Sequence, residues 1–460
     1  MPHRSLWLAP ILEREPVLPA LEGSERADVA IVGGGFVGLW TALELKRRAP
    51  ETEVVVVERD VCGGGASGRN GGFVLSWWGK LPTLVKRFGE RDGVLIARQC
   101  EAVTKEIGEW CAANAPDADH RPNGWLWTAT APAYVGAWDG AAELTDRVAP
   151  GVFERLSDEE IAARTGSPVH LAGVLDRSAA TVDPGALSRA LARAAQQDGV
   201  RIYEQTEVVG LDRGDPATLK TASGTITAAK AVIATNAWAA NLRELRNAIV
   251  VVSSDIVATP QIADRLQEIG WTGGEAITNS QMMVNYYRTT NDGRIAFGKG
   301  GWGIAFGGHI TPRFDRDPHR AHAVANAFHA TYPTLADVPI AADWSGPIDR
   351  SGDGLPLIGH LGGRRNILYA VGWSGNGVGP SLLGAKTVTS LALESDDDWA
   401  RSPLVGRRAN RLPPEPIRYI GAHIVREAVR RKEAAELAGR RPKALARALA
   451  RLVPAGLEDH

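Results

Sequence analysis

The sequence predicts an α/β fold, α+β overall, whose first unit is a parallel sheet covered on both faces. Three observations predict it. Residues 28–32 and 53–58 are short runs dominated by valine, isoleucine and alanine, as buried strands require. Residues 36–48 between them have the length of a crossover helix. The joint between first strand and helix is a glycine-rich turn at 33–38.

That turn reads Gly33-Gly34-Gly35-Phe36-Val37-Gly38, a G-x-G-x-x-G pattern. The pattern alone is weak, but here it follows a strand and opens a helix, and Glu58 stands 20 residues beyond Gly38 at the end of the next strand. Gly33 permits the tight turn, Gly35 lets backbone amides approach a pyrophosphate, and Gly38 lets helix and strand pack closely. Phe36 and Val37 open the helix, whose N-terminus offers partial positive charge to phosphate. Glu58 is placed to accept hydrogen bonds from ribose hydroxyls, with Arg59 beside it. This establishes a dinucleotide site without choosing the dinucleotide.

A second glycine-rich stretch follows at 62–72: Cys62-Gly63-Gly64-Gly65-Ala66-Ser67-Gly68-Arg69-Asn70-Gly71-Gly72. So few side chains bring backbone close to a bound group, while Ser67, Arg69 and Asn70 add polar contacts. A nicotinamide enzyme has no evident use for such a loop here. Further along, Asp183 and Pro184 signal a helix over 184–198 that ends at Gly199. Strands are expected at 201–203, 207–211, 225–227, 230–234, 249–258, 282–289, 294–298 and 367–371, and a helix starts near Pro380.

Composition sets the bounds. The chain has 460 residues, enough for two intertwined domains. A net charge of -1 gives no reason to expect nucleic acid. Residues 401–460 are nevertheless basic, with 14 Lys/Arg against 6 Asp/Glu. The expectation for this tail is a helical extension docked on the acidic body, with Leu445, Leu449 and Leu452 on one face. The 3 cysteines form no CxxC pair, so a reducing, cytoplasmic setting is expected. No apolar run is long enough to span a bilayer, and no His/Cys/Asp cluster has metal spacing. Residues 1–26, with Pro10, Pro16 and Pro19, read as an irregular arm.

On these residues the sequence resembles the D-amino-acid-oxidase-like (glycine/sarcosine oxidase) superfamily of FAD-dependent amine oxidoreductases. The loop 33–38, Glu58 and the run 66–72 carry the resemblance, with 232–238, 353–359 and 372–378 in support. Within it, the segments 5–8, 38–42, 252–255, 285–289 and 293–301 are most similar to the aminophosphonate oxidoreductase group. The resemblance implies a GR2-type FAD-binding Rossmann-like domain with an interleaved mixed-sheet substrate domain. The FAD domain would take 27–75, 165–245 and 345–395, the substrate domain 76–164 and 246–344, and the extension 396–460. Val208, Thr235, Asn236, Trp238, Gly354, Leu355, Gly375, Asn376, Gly377 and Val378 would join the glycine loops around FAD. Asn236 stands where the family more often has glycine. No Cys or His occurs at 65–75, so non-covalent FAD is expected.

The implied reaction is oxidation of a C–N bond in a small amine, with molecular oxygen or another acceptor taking the electrons. The oxygen-facing cation would be Lys299 or Arg294, and Tyr287 is a further catalytic candidate. An anionic head group such as a phosphonate needs Arg or Lys. Arg288, Lys80 and Lys299 are candidates, with His309 in reserve and Tyr286 and Trp373 as aromatic walls. In a strand Tyr286 and Arg288 share a face and Tyr287 points to the other. The expected substrate is 2-aminoethylphosphonate or an N-alkyl derivative. Alternatives are glycine, sarcosine or a γ-glutamyl polyamine, or a flavin-binding subunit without turnover.

Overall fold

The computed structural model describes residues 2–271 and 273–453; the end of the expected extension, 454–460, lies outside the described residues. Two eight-stranded sheets organise it. The first has the core order Leu357–His360, Ile367–Val371, Gly224–Ile233, Gly23–Val32, Val54–Val57, Arg201–Tyr203. All neighbours in that order are parallel except the pair formed by Leu357–His360 and Ile367–Val371. Ile31 lies between Val56 and Val232, so the valine and isoleucine runs pack against each other at the sheet centre.

One face of this sheet is covered by helices Phe36–Arg48, Pro184–Gln197 and Pro380–Ala392. Asp183 caps the second of these, accepting from the Ala186 amide at 2.9 Å. The other face packs Ala30, Val55 and Ile233 against Leu219 of the short strand Ala217–Lys220 and against Ala240 and Leu245. The first strand begins at Gly23 rather than at 28, because its parallel pairing continues to Gly224.

The arm before it is pinned. Arg4 pairs with Asp60, Ser5 donates to the Gly68 carbonyl, and the Trp7 indole donates to the Asn70 carbonyl at 2.9 Å. A single helical turn, Ala9–Leu12, interrupts its irregular course.

The second sheet runs Ala342–Ser351, Ile249–Ala258, Ile295–Ile304, Asn285–Thr289, Ala276–Asn279, Trp125–Ala129, Ala172–Asp176, Phe153–Leu156. One pair, Ala276–Asn279 with Trp125–Ala129, is parallel; the others are antiparallel. Two of its strands fall wholly or partly in segments expected of the FAD domain. Ala172–Asp176 pairs on both edges within this sheet, and Ala342–Ser351 pairs with Ile249–Ala258 over its full length. The long helix Glu90–Asn114 and the helix Pro318–Thr331 were not among the elements the sequence signalled.

The extension forms helices Ile417–Leu437 and Ala444–Ala450. They dock through Val429 and Ala450 against Met282 and Met283. The small side chains Ala446 and Ala450 are buried in the last helix, whereas Leu445 and Leu452 are exposed. Close approach of two helices favours alanine at the contact, so the leucine stripe is not the docking face. No helix of the described residues is long and apolar enough to cross a membrane.

Candidate functional site

A cleft of about 730 Å³ opens at the C-terminal ends of the parallel strands and extends to the second sheet. Crevices of α/β folds bind ligands at that end.

Its first part is built from the glycine turn. Gly33 has φ +114°, and a Cβ there would lie 2.5 Å from the Ala234 carbonyl oxygen. A Cβ at Gly35 would lie 2.8 Å from Ser67 Oγ, which accepts from the Phe36 amide at 2.8 Å. Gly38 is not in the lining; a Cβ there would collide with the Gly33 carbonyl. Glu58 accepts from the amides of Gly34 (2.8 Å) and Asp60 (2.9 Å). Burial pushes its carboxyl up to about 7, against the pull of those two amides. The Arg59 guanidinium sits 5.1 Å from the Trp238 ring centroid, and Val208 lines the same end.

The middle part holds the second loop. Ala66, Ser67, Arg69, Asn70 and Gly71 line it. Arg69 spends its donors on carbonyls, of Gly64 at 2.8 Å, His3 at 2.7 Å and Ser345 at 3.0 Å, so it braces the loop. Asn70 folds back onto Ala66 and Ser67 and accepts from the Gly72 amide. Gly72 (φ +77°) stands behind the lining, against the Val182 carbonyl.

Opposite lies the loop 372–378. Trp373, Gly375, Asn376, Gly377 and Val378 line the cleft. Asp349, fully buried, organises this wall. Its carboxylate accepts from the Gly372 amide, from the Trp373 amide at 3.0 Å and from the Asn236 side-chain amide at 3.0 Å. Burial nonetheless pushes the Asp349 carboxyl up to about 7. Asn236 adopts φ +46°, the left-handed conformation that glycine takes easily and asparagine tolerates. Its Oδ1 accepts from the Ala237 amide, so asparagine serves in glycine's place. Thr235 lines the cleft beside it, while Gly354 and Leu355 stand behind.

These features fit a flavin dinucleotide. Backbone replaces side chain wherever a Cβ would intrude, and the Asn376 Oδ1 is a buried acceptor with no partner among the described residues. Neither cysteine nor histidine occurs in the lining, and no group of residues suited to a metal occurs among the described residues.

The far part is a chamber on the second sheet. Tyr286 faces it, with its hydroxyl 2.5 Å from Ser254 Oγ and its ring edge-on to Phe73. Trp125, stacked on Trp127, donates to Thr278 Oγ1 at 2.9 Å. Met282, Met283 and Val429 supply apolar surface, and the lining of the cleft as a whole includes the cations Lys80, Arg350 and Arg426. The pleat of Ala342–Ser351 explains one of these: Gly346, Ile348 and Arg350 share the cleft face, and Asp349 faces away.

The structure sets five of the catalytic and head-group candidates apart from the lining. Tyr287 points to the opposite face and stacks on Phe297 at 4.8 Å, its hydroxyl 2.5 Å from His170 Nε2. Arg288 shares the face of Tyr286, but its Nε and Nη2 donate to the carbonyls of Gly71 (2.8 Å) and Val182 (2.6 Å), and its buried Nη1 has no hydrogen-bond partner among the described residues. It braces the loop from outside. Arg294 sits at the strand's entry turn, paired with Asp292 at 2.7 Å. Lys299 shares the face of Phe297, away from the cleft, and donates to the Met283 carbonyl and Asn285 Oδ1, both at 2.7 Å. Burial lowers its ammonium to about 8, with Glu433 opposing that shift. His309 lies outside the lining, in the wall of a neighbouring chamber.

Arg350, Asp349 and Arg426 were not singled out from sequence. Asp349 lies four residues before the flavin-side motif at 353–359, a position that carries no signal of its own. Trp125 was visible only as one of several tryptophans in 76–164.

The chain is similar to known proteins over most of its length. The chain is 27% identical over 401 residues to a probable oxidoreductase, OrdL, of Rhizobium meliloti, covering 84% of this chain and 88% of that one. It is 27% identical to the gamma-glutamylputrescine oxidoreductase of Escherichia coli, covering 89% of this chain and 95% of that one. The crystal structure of glycine oxidase from Geobacillus kaustophilus superposes with a TM-score of 0.69 at 22% identity, over 84% of this chain and 99% of the other. The model of the DAO family, described as FAD dependent oxidoreductase, matches residues 28–391, and with most of its length matched the chain belongs to this family of FAD-dependent oxidoreductases.

Proposed function

We propose that the protein oxidises the C–N bond of a small amine that carries an anionic group, with 2-aminoethylphosphonate or an N-alkyl derivative as the substrate. The observation that carries this reading is the composition of the cleft lining. Lys80, Arg350 and Arg426 line the cleft, while its lining carboxylates, Glu58, Asp60, Glu207 and Asp315, lie beside the glycine loops or the Arg69 brace. An anion on an apolar stem fits a cleft that presents these cations together with Trp125, Met282 and Val429.

Bound FAD supplies a two-electron acceptor for the hydride that leaves the carbon beside nitrogen, and the resulting imine hydrolyses to an aldehyde, phosphonoacetaldehyde for this substrate. The chain's own task is orientation. The cations draw the anionic end into the cleft, with Arg426 at its edge, and the Trp125 and Tyr286 rings narrow the space through which the amine extends. Tyr286 is held by Ser254, so its ring position is set before substrate arrives. The buried, apolar lining keeps water from the reacting carbon. The absence of Cys and His from the lining supports FAD held without a covalent link.

The test is anaerobic bleaching of the flavin absorbance by a panel of amines. 2-Aminoethylphosphonate and its N-methyl form are expected to bleach it at least tenfold faster than ethylamine. Equal rates with glycine, sarcosine or a γ-glutamyl polyamine would move the assignment to carboxylate-bearing amines. A flavin that no amine bleaches would favour a binding subunit without turnover.

A further inference from the structure

The family match ends at residue 391, yet the helix Ile417–Leu437 contributes to the cleft. Its inner face also walls a second chamber of about 630 Å³, closed on the other side by the turn after Ile295–Ile304 and by the segment leading into Pro318–Thr331. The two chambers share Met283, Ile304, Thr311 and Arg426. Arg426 therefore stands on the wall between them.

The second chamber is cationic. Arginines 313, 320, 426 and 430 line it against one carboxylate, Glu427. Arg320 is committed to Asp255 (2.9 Å) and Asp317 (3.0 Å), Arg313 to Asp317 (2.6 Å), and Arg430 to Glu427 (2.8 Å). His423, Arg426 and Arg430 follow helical spacing and present one face. The His423 ring packs on Tyr419, with centroids 4.4 Å apart, and its Nε2 is buried with no hydrogen-bond partner among the described residues. Burial lowers the Arg426 guanidinium below its ordinary range; Arg430 and Arg320 add to this, while Glu427 and Tyr419 oppose it. Cations held this close, at the edge of an apolar cleft, are relieved by an anion.

We propose that this chamber is an anion port built by the C-terminal extension, binding a small tetrahedral oxyanion through Arg426, Arg430 and His423. Assigning that anion as the phosphonate of the substrate rests on the function proposed above. Placed there, the head group is held at the wall shared with the cleft, and the amine end extends past Met283 towards the flavin. The match to the family stops before His423, Arg426 and Arg430, so these three would give this chain a head-group preference that the matched part alone does not supply.

The experiment is calorimetric titration of the full-length holoenzyme with inorganic phosphate and with methylphosphonate, at low ionic strength. Both are expected to bind, and acetate to bind at least tenfold more weakly. Arg426→Met and Arg430→Met should each weaken phosphate binding about tenfold or more, with partial recovery in Arg426→Lys. An unchanged flavin absorbance spectrum in each variant shows that the fold is retained. Phosphate binding that is absent from the wild type, or equally tight in both methionine variants, overturns the port. If phosphate binds as expected but no phosphonate-bearing amine bleaches the flavin, the port stands and the substrate assignment fails.

Discussion

Glu433 on the C-terminal helix accepts a hydrogen bond from the backbone amide of Met283 at 2.8 Å, in the loop that lines the cleft. The same carboxylate faces Lys299, whose ammonium is bonded to the Met283 carbonyl. One buried pair thus ties the extension to the substrate wall. Glu433→Ala leaves the amide without its acceptor and removes the charge facing Lys299. A loss of about 1–3 kcal/mol is expected. Thermal melting should show a lower midpoint, and limited proteolysis should cut the extension first. Glu433→Gln should retain more of the wild-type stability.

Lys299 and Lys80 should respond differently. Lys299 points away from the cleft and serves the Met283 and Asn285 acceptors, whereas Lys80 lines the cleft with its Nζ 3.5 Å from the Gly354 carbonyl. If a cation assists reoxidation by oxygen, Lys80→Met should slow the reoxidation step in stopped flow at least tenfold. Lys299→Met should lower the melting temperature and change that rate less than threefold.

Gly298 lies under the Tyr286 ring, and a Cβ there would overlap its Cζ. The ring cannot swing aside freely, because its hydroxyl is bonded to Ser254 and its edge meets Phe73. Gly298→Ala is therefore expected to push Tyr286 into the chamber. The Michaelis constant for the preferred amine should rise by an order of magnitude or more in steady-state assays. A Gly298→Ala, Tyr286→Ala double variant should recover part of the loss.

His170 gives a pH signature. Burial lowers its imidazole from the ordinary 6.5 to about 4, and it is bonded to the Tyr287 hydroxyl. A depressed folded-state value means that the unfolded chain binds the proton first as pH falls. The contribution is complete above pH 6.5 and is lost on descent to about 4. The loss is on the order of 3 kcal/mol. Denaturant midpoints measured across this window should fall with acid, and His170→Gln should flatten that slope.

The parts legible in sequence are those that local chemistry dictates. The strand runs, the glycine turn with Glu58, the capped helix at Pro184 and the alternating faces of Tyr286 and Tyr287 each depend on neighbours within a few residues. The strand period puts Arg288 on the face of Tyr286, but cannot say that the Gly71 and Val182 carbonyls, distant in sequence, claim its guanidinium. Period also puts Lys299 with Phe297, away from the cleft. A lysine among glycines invites a functional reading that the pleat contradicts. Asp349 and Arg426 acquire their positions only when separate segments meet, and neither carries a local mark. The tail forms two helices, and its leucines misstate the docking face because alanine suits close contact.

The first sheet has a practical consequence for anyone wishing to move this cofactor cradle into another scaffold. Its central strand, Gly23–Val32, is flanked by strands beginning at residues 54 and 224, and the latter is flanked in turn by Ile367–Val371. No contiguous stretch of the gene encodes the cradle. A nascent chain on the ribosome lacks its last parallel strand until residue 371 has been made. The helix that closes the far chamber emerges later still, so the order of translation leaves the cleft accessible to its cofactor before the extension is made.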